Sequence, residues 1–205
     1  MAQASTRRNR PYAARMAPEE RREQLLDVVL DLIDTDGVGA VSMDAVARRA
    51  GVTRPVVYSV FTDADDLLRG SLRREERRAL DQVTHNLDTP SADARVENMH
   101  QLFAAYLNAV IVAPQRWRAI YMVADSDTPA LRNTIDRART LLTGLLLDRL
   151  KNPSSTRGQI DSELLAHHLA SALWDSGRLL LTRPDEFGHD RLLSSLDHLA
   201  ERLLQ

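Results

Sequence analysis

At 205 residues the chain is long enough for one medium domain or two small ones that share a core. Hydrophobic residues make up 43% and aromatics only 4%, with few glycines and no strand-like alternation, which points to an all-α protein. There is no cysteine, which excludes disulfides, thiolate metal sites and a cysteine nucleophile, and the formal charge of −2 taken alone argues against nucleic acid.

The charge is unevenly spread. Residues 1–17 form a basic arm with Arg7, Arg8, Arg10 and Arg15 and no acidic residue. By itself such an arm reads as a solvated tail; it lacks the apolar core of a secretory signal. The most apolar run, 102–113, is too short to span a bilayer. A soluble, cytoplasmic protein with no membrane partner is expected.

Helix 1 is expected over 18–36: Pro18 suits the first helical position, Glu19 and Glu20 the first turn, and Gly37 the stop. Its apolar face carries Leu25, Val28, Val29, Leu32 and Ile33. Helix 2 runs from Met43 to about Ala50 behind the cap residue Ser42, and helix 3 from Thr53, a good cap, to about Val60. Helix 4 opens at "TDADDLL", where Thr62 and Asp65 are spaced as a capping box, and continues to about Asn86. "DTPSAD" at 88–93 breaks the pattern, and further helices are expected at about 94–112, 114–124, 128–150, 160–182 and 187–204. The total is about nine.

The stretch "SMDAVARRAGVTRPVVYSVF", 42–61, has the spacing of a helix-turn-helix. Ala47 is small where two helices must approach, and Gly51 supplies a positive φ at the turn. Val46, Ala50, Val52, Val57 and Val60 lock helix 3 across helix 2, and Pro55 falls in a first turn, where it removes no helical hydrogen bond. Thr53, Arg54, Pro55, Val56, Tyr58 and Ser59 are left on the outer face, which in this motif enters the major groove of double-stranded DNA. Arg54 suits a bidentate contact to guanine, and Val56 or Pro55 a thymine methyl. Tyr58, Thr53 and the helix 2 start at Ser42 suit phosphates.

The segment "VSMDAVARRAGVTRPVVYSVFTDADDLL" resembles the DNA-binding module of the TetR (tetracycline repressor) family of bacterial transcriptional regulators. The residues that carry the resemblance are Gly37, Val46, Ala47, Ala50, Gly51, Val52, Tyr58, Phe61, Leu67 and Leu68. The resemblance implies a homodimer with an N-terminal DNA-binding domain, placed here at 18–66. It also implies an effector-binding and dimerisation domain, placed at 67–205, and an operator that is near-palindromic. Carried over position by position, Ser42, Thr53, Arg54, Pro55, Val56, Tyr58 and Ser59 face DNA. Two positions depart from the common pattern: Val60 stands for a histidine, and Ala64 for a phosphate-gripping lysine. That weakens helix 4 as an anchor and gives the arm, Arg7, Arg8, Arg10 and Arg15, a minor-groove role.

In the remaining two thirds, Leu165, Leu169, Ala172 and Leu173 on one helix and Leu192, Leu196 and Leu199 on the next make two apolar stripes. On residues alone they suit a four-helix dimer interface or the chain's own core; the resemblance favours the dimer. Phe103, Tyr106, Trp117, Tyr121, Met122 and Trp174 are candidates for the wall of a largely apolar effector pocket. His167 and His168 are adjacent and point about 100° apart on a helix, so no metal site is expected. No cofactor and no catalytic residue are expected, since nucleophile-elbow, metalloprotease and phosphate-loop motifs are missing. The expected function is a sequence-specific repressor released by a small molecule. The alternative is a helical DNA binder with no effector and little sequence preference.

Overall fold

The computed structural model describes residues 16–85, 87–91, 94–125, 129–150 and 161–204. Among them there is no strand. The order is α1 Pro18–Asp36, a 3-10 turn Val38–Ala40, α2 Met43–Arg49, α3 Arg54–Tyr58, α4 Ala64–Thr84, α5 Arg95–Val112, α6 Pro114–Ala124, α7 Pro129–Leu150, α8 Ser162–Thr182 and α9 His189–Leu204. Residues 1–15 of the basic arm and the 152–159 segment lie outside the described residues.

Local chemistry sets most helix ends. Gly37 stops α1 at φ +85°, donating its N–H to Ile33 O at 3.1 Å. Ser42 Oγ accepts from Ala45 N–H at 3.1 Å and opens α2. The cap of α4 sits one residue later than the sequence suggests. Asp63 Oδ1 accepts from Asp66 N–H at 2.7 Å, and Asp66 Oδ2 accepts from Thr62 N–H at 3.1 Å. Two carboxylates thus satisfy two amides, which a threonine and Asp65 were expected to do. The start of α9 moves to His189 because Glu186 and Phe187 N–H groups fold back onto Arg183 O at 3.1 and 2.9 Å. Arg183 and Arg191 cover the Phe187 ring at 4.8 and 5.0 Å.

Two apolar clusters organise the helices. One gathers Leu25, Leu26, Val29, Leu32 and Ile33 of α1 with Val46, Val57 and Phe61, then Leu67, Leu68 and Leu72 of α4 and Ala119 and Val123 of α6. The other joins Ala79 and Val83 of α4 to α5–α9. The boundary expected at 66/67 therefore falls inside α4, a single helix whose first half packs in one cluster and second half in the other.

At the heart of the second cluster Tyr106 and Tyr121 exchange a 2.8 Å hydroxyl–hydroxyl hydrogen bond. Burial holds both phenols above their ordinary range. Their closeness needs Gly177 of α8: a Cβ there would lie 2.2 Å from Tyr121 Oη and 2.9 Å from Tyr106 Cε1. Gly177→Ala is expected to lose about 1–3 kcal/mol by overpacking, read as a drop of several degrees in Tm. An unchanged Tm would show that the tyrosine pair yields freely.

Candidate nucleic-acid interface and internal cavity

The turn between α2 and α3 is built as the sequence suggests. Gly51 has φ +66°, and Val52 N–H donates to Ala47 O at 2.9 Å, stitching the turn to α2. Val46, Ala47 and Val57 are fully buried, whereas Ala50, Val52 and Val60 are half-buried against the same cluster. Arg49 of α2 pairs with Asp31 and Asp36 of α1 and fixes how the motif sits on the first helix.

The outer face is available. Ser42, Thr53, Arg54, Pro55, Tyr58 and Ser59 are exposed, and Val56 is half-buried. Arg54 Nε sits 2.8 Å from Asp44 Oδ1, and its guanidinium lies 5.9 Å from the Tyr58 ring centre. The hydrogen bond to Tyr58 and the charge of Asp44 raise its pKa further, so it is always a cation. Thr53 occupies the cap position of α3 but makes no side-chain capping bond, which leaves its hydroxyl free. Ser59 Oγ donates to Val56 O at 2.7 Å and so is partly spent within the helix. The hydroxyl of Ser42 accepts its cap bond yet keeps a proton to donate. Arg7, Arg8, Arg10 and Arg15 lie outside the described residues.

A narrow cavity of about 60 Å³ opens between α4, α5, α6, α7 and α8. Tyr106, Trp117 and Trp174 line it. Three other expected wall residues do not. Phe103 is buried in the core away from it, Tyr121 stands behind Tyr106 as its hydrogen-bond partner, and Met122 turns outward and is exposed. The sequence reading missed the α4 and α7 walls, among them Leu72, Glu76, Leu80, Leu141 and Leu145. Their apolar spacing along α4 and α7 is the only signal that could have found them.

The stripes assigned to a dimer interface turn inward. Leu165, Leu169, Leu173, Leu192 and Leu196 are buried within the single chain, and Ala172 is half-buried against the same core. Close packing of α8 and α9 on α5 consumes this face. Leu199 is exposed, as are Leu164 and Leu203 on the same two helices.

A glycine-turned pair of helices with a free outer face, carried on a larger helical body with an internal cavity, defines a DNA-binding transcriptional regulator. Residues 25–70 match the profile of bacterial regulatory proteins of the tetR family. The HTH-type transcriptional regulator BetI of Vibrio campbellii is 27% identical over 172 residues, covering 79% of this chain and 82% of the relative. A TetR-like transcriptional regulator from Rhodococcus sp. superposes with a TM-score of 0.74 at 22% identity, over 92% of this chain and 97% of that one. A SmeT–triclosan complex superposes with a TM-score of 0.70 at 17% identity, over 89% of this chain and 90% of that one. Residues 25–70 are thus similar to the DNA-binding module of the TetR-family regulators, and the chain shares the fold of solved TetR-like proteins. Regulators of this family bind operator DNA as homodimers and respond to small-molecule effectors.

The cap at Ser42 joins local folding to the outer face. Ser42→Ala is expected to lose about 1 kcal/mol of stability, measured as a lower denaturant midpoint with an unchanged slope. A midpoint equal to the parent's would mean that water replaces the cap at no cost.

Proposed function

We propose that this chain represses transcription by holding a near-palindromic operator as a homodimer and releases it when a largely apolar small molecule fills the cavity. The observation that carries the reading is Leu72 of α4. It belongs to the buried cluster under the helix-turn-helix and also lines the cavity. An occupant that shifts this side chain acts on the packing beneath the head. Its effect is bounded by its differential affinity for the two arrangements.

The DNA-binding head is residues 18 to about 72, and the rest forms the effector and dimer domain. Ser42, Thr53, Arg54, Pro55, Val56, Tyr58 and Ser59 contact DNA, with Arg54 reading a guanine after exchanging Asp44 for the base. The two copies meet through the outer faces of α8 and α9, where Leu164, Leu199 and Leu203 are exposed. SmeT, a neighbour in fold, was solved with triclosan, which supports an apolar occupant for the cavity here. No helix is long and apolar enough to cross a membrane among the described residues, which supports a cytoplasmic regulator. We assign it no catalytic activity.

Selection from a random-sequence DNA library tests the reading. The parent is expected to enrich a near-palindrome with half-sites ~34 Å apart or a multiple. Arg54→Ala is expected to relax one G·C position in each half-site, at a cost of about 1–3 kcal/mol. Recovery of no site, with binding that merely fades with salt, would leave a helical DNA binder without sequence preference and sink the repressor reading.

The basic arm adds phosphate contacts through Arg7, Arg8, Arg10 and Arg15. Deleting residues 1–15 is expected to flatten the dependence of operator affinity on salt. A slope equal to the parent's would remove the arm from the interface.

A further inference from the structure

Two polar atoms of the cavity residues are buried without a hydrogen-bond partner: Oε1 of Glu76 on α4 and Nε1 of Trp117 on α6. The rest of the wall is hydrocarbon and ring surface, including Leu72, Val83, Ile120 and Leu142. A buried polar atom without a partner is destabilising. A site that keeps both in an apolar wall is arranged for a guest that supplies the missing partners. Burial pushes the Glu76 carboxyl above the ordinary glutamate range, against the charges of Arg137 on α7 and Arg73 on α4.

We propose that the cavity selects an amphipathic organic cation, its apolar body seated among α4, α6 and α7 and its ammonium group held by Glu76 Oε1. Tyr106, Trp117 and Trp174 present rings to the same space, and ring faces attract cations. The Trp174 ring already takes one, since the Arg139 guanidinium lies 5.4 Å from its centre. The Trp117 N–H is then free to donate to an ether, hydroxyl or carbonyl oxygen on the body of the guest. An anion finds no comparable place. Arg73, Arg77 and Arg137 line the neighbouring groove, which shares Glu76 with the cavity; they do not line the cavity itself, where the anion would meet the Glu76 carboxylate. This inference rests on the reading of the cavity as the effector site.

The test uses three probes with similar bodies and different heads: 4-phenylbutylamine, 4-phenylbutan-1-ol and 4-phenylbutanoate. The chain's two tryptophans both line the cavity, so intrinsic fluorescence of the full-length protein reports its occupation. The amine is expected to bind at least tenfold more tightly than the alcohol, and the carboxylate more weakly than either. Glu76→Gln is expected to bring the amine down to the affinity of the alcohol while the alcohol keeps its own. Equal affinity for amine and alcohol in the parent, or an undiminished preference for the amine in Glu76→Gln, overturns the cation inference and leaves the cavity reading intact. Tightest binding by the carboxylate overturns it in favour of the arginines at the groove. Failure of all three to change the fluorescence overturns both readings. The comparison of heads on the parent protein stands even if the variant does not fold.

Discussion

A buried ion network on α4 ties the two halves of the molecule together. The side chains of Arg74 and Glu75 are each only 3% exposed, and Arg74 Nε lies 2.7 Å from Glu75 Oε1. Neighbours on a helix point about 100° apart, so each takes its further partners from a different element. Arg74 Nη1 reaches Asp27 at 2.8 Å and Glu23 at 3.1 Å on α1. Glu75 Oε2 receives Arg116 Nε of α6 at 2.9 Å. Arg116 continues to Gln82 Oε1 at 2.7 Å, and Gln82 donates to Ala109 O of α5 at 3.2 Å. Buried ion pairs add little net stability over apolar packing, but breaking one by removing a partner costs about 3–5 kcal/mol. The network therefore fixes where α1, α5 and α6 sit on α4 more than it strengthens the fold. One atom, Arg74 Nη2, has no hydrogen-bond partner within the protein.

That constraint divides α4 among three sets of partners, and Leu72 belongs both to the head and to the cavity wall. Leu67, Leu68 and Leu72 bury into the head, Arg74 and Glu75 grip α1 and α6, and Glu76, Ala79, Leu80 and Val83 face the cavity. A second link, Arg118 Nε to Asp34 Oδ1 at 2.6 Å, ties α6 directly to α1 and raises the pKa of the arginine further. Close-packed interiors with paired buried charges do not deform continuously; they shift between discrete arrangements. A guest against α4 or α6 therefore bears on α1 and the helix-turn-helix as a unit.

The sequence revealed best what short-range chemistry decides. Pro18 and Gly37 bound α1 because φ restrictions act within one residue, and Ala47, Gly51 and Val57 define the turn because their spacing is local. The head could be read for the same reason, down to which side chains of α3 face outward. Periodicity is silent on which surface an apolar stripe meets. Leu169 and Leu173 look alike whether they contact α5 or a second copy, and the close packing of α8 and α9 on α5 decided for the chain's own core. The cavity was harder still. Tyr106, Trp117 and Trp174 stand out by size, whereas Leu72, Glu76 and Leu141 become a wall only when α4 and α7 are brought together across more than fifty residues of chain. The run Arg-Arg-Glu-Glu-Arg-Arg at 73–78 gives no hint that its second and third members are buried, because their partners lie on α1 and α6.

Charge plays the opposite part on the outer face of α3. Arg54 and Asp44 pair at 2.8 Å, yet both side chains are 57% exposed, and a pair so placed contributes at most about 1 kcal/mol. The contact is cheap to give up, so the guanidinium can leave Asp44 for a guanine edge with little loss. In the free protein it is held beside the Tyr58 ring and is not free through the full range of its rotamers, so less side-chain freedom remains to be lost on binding.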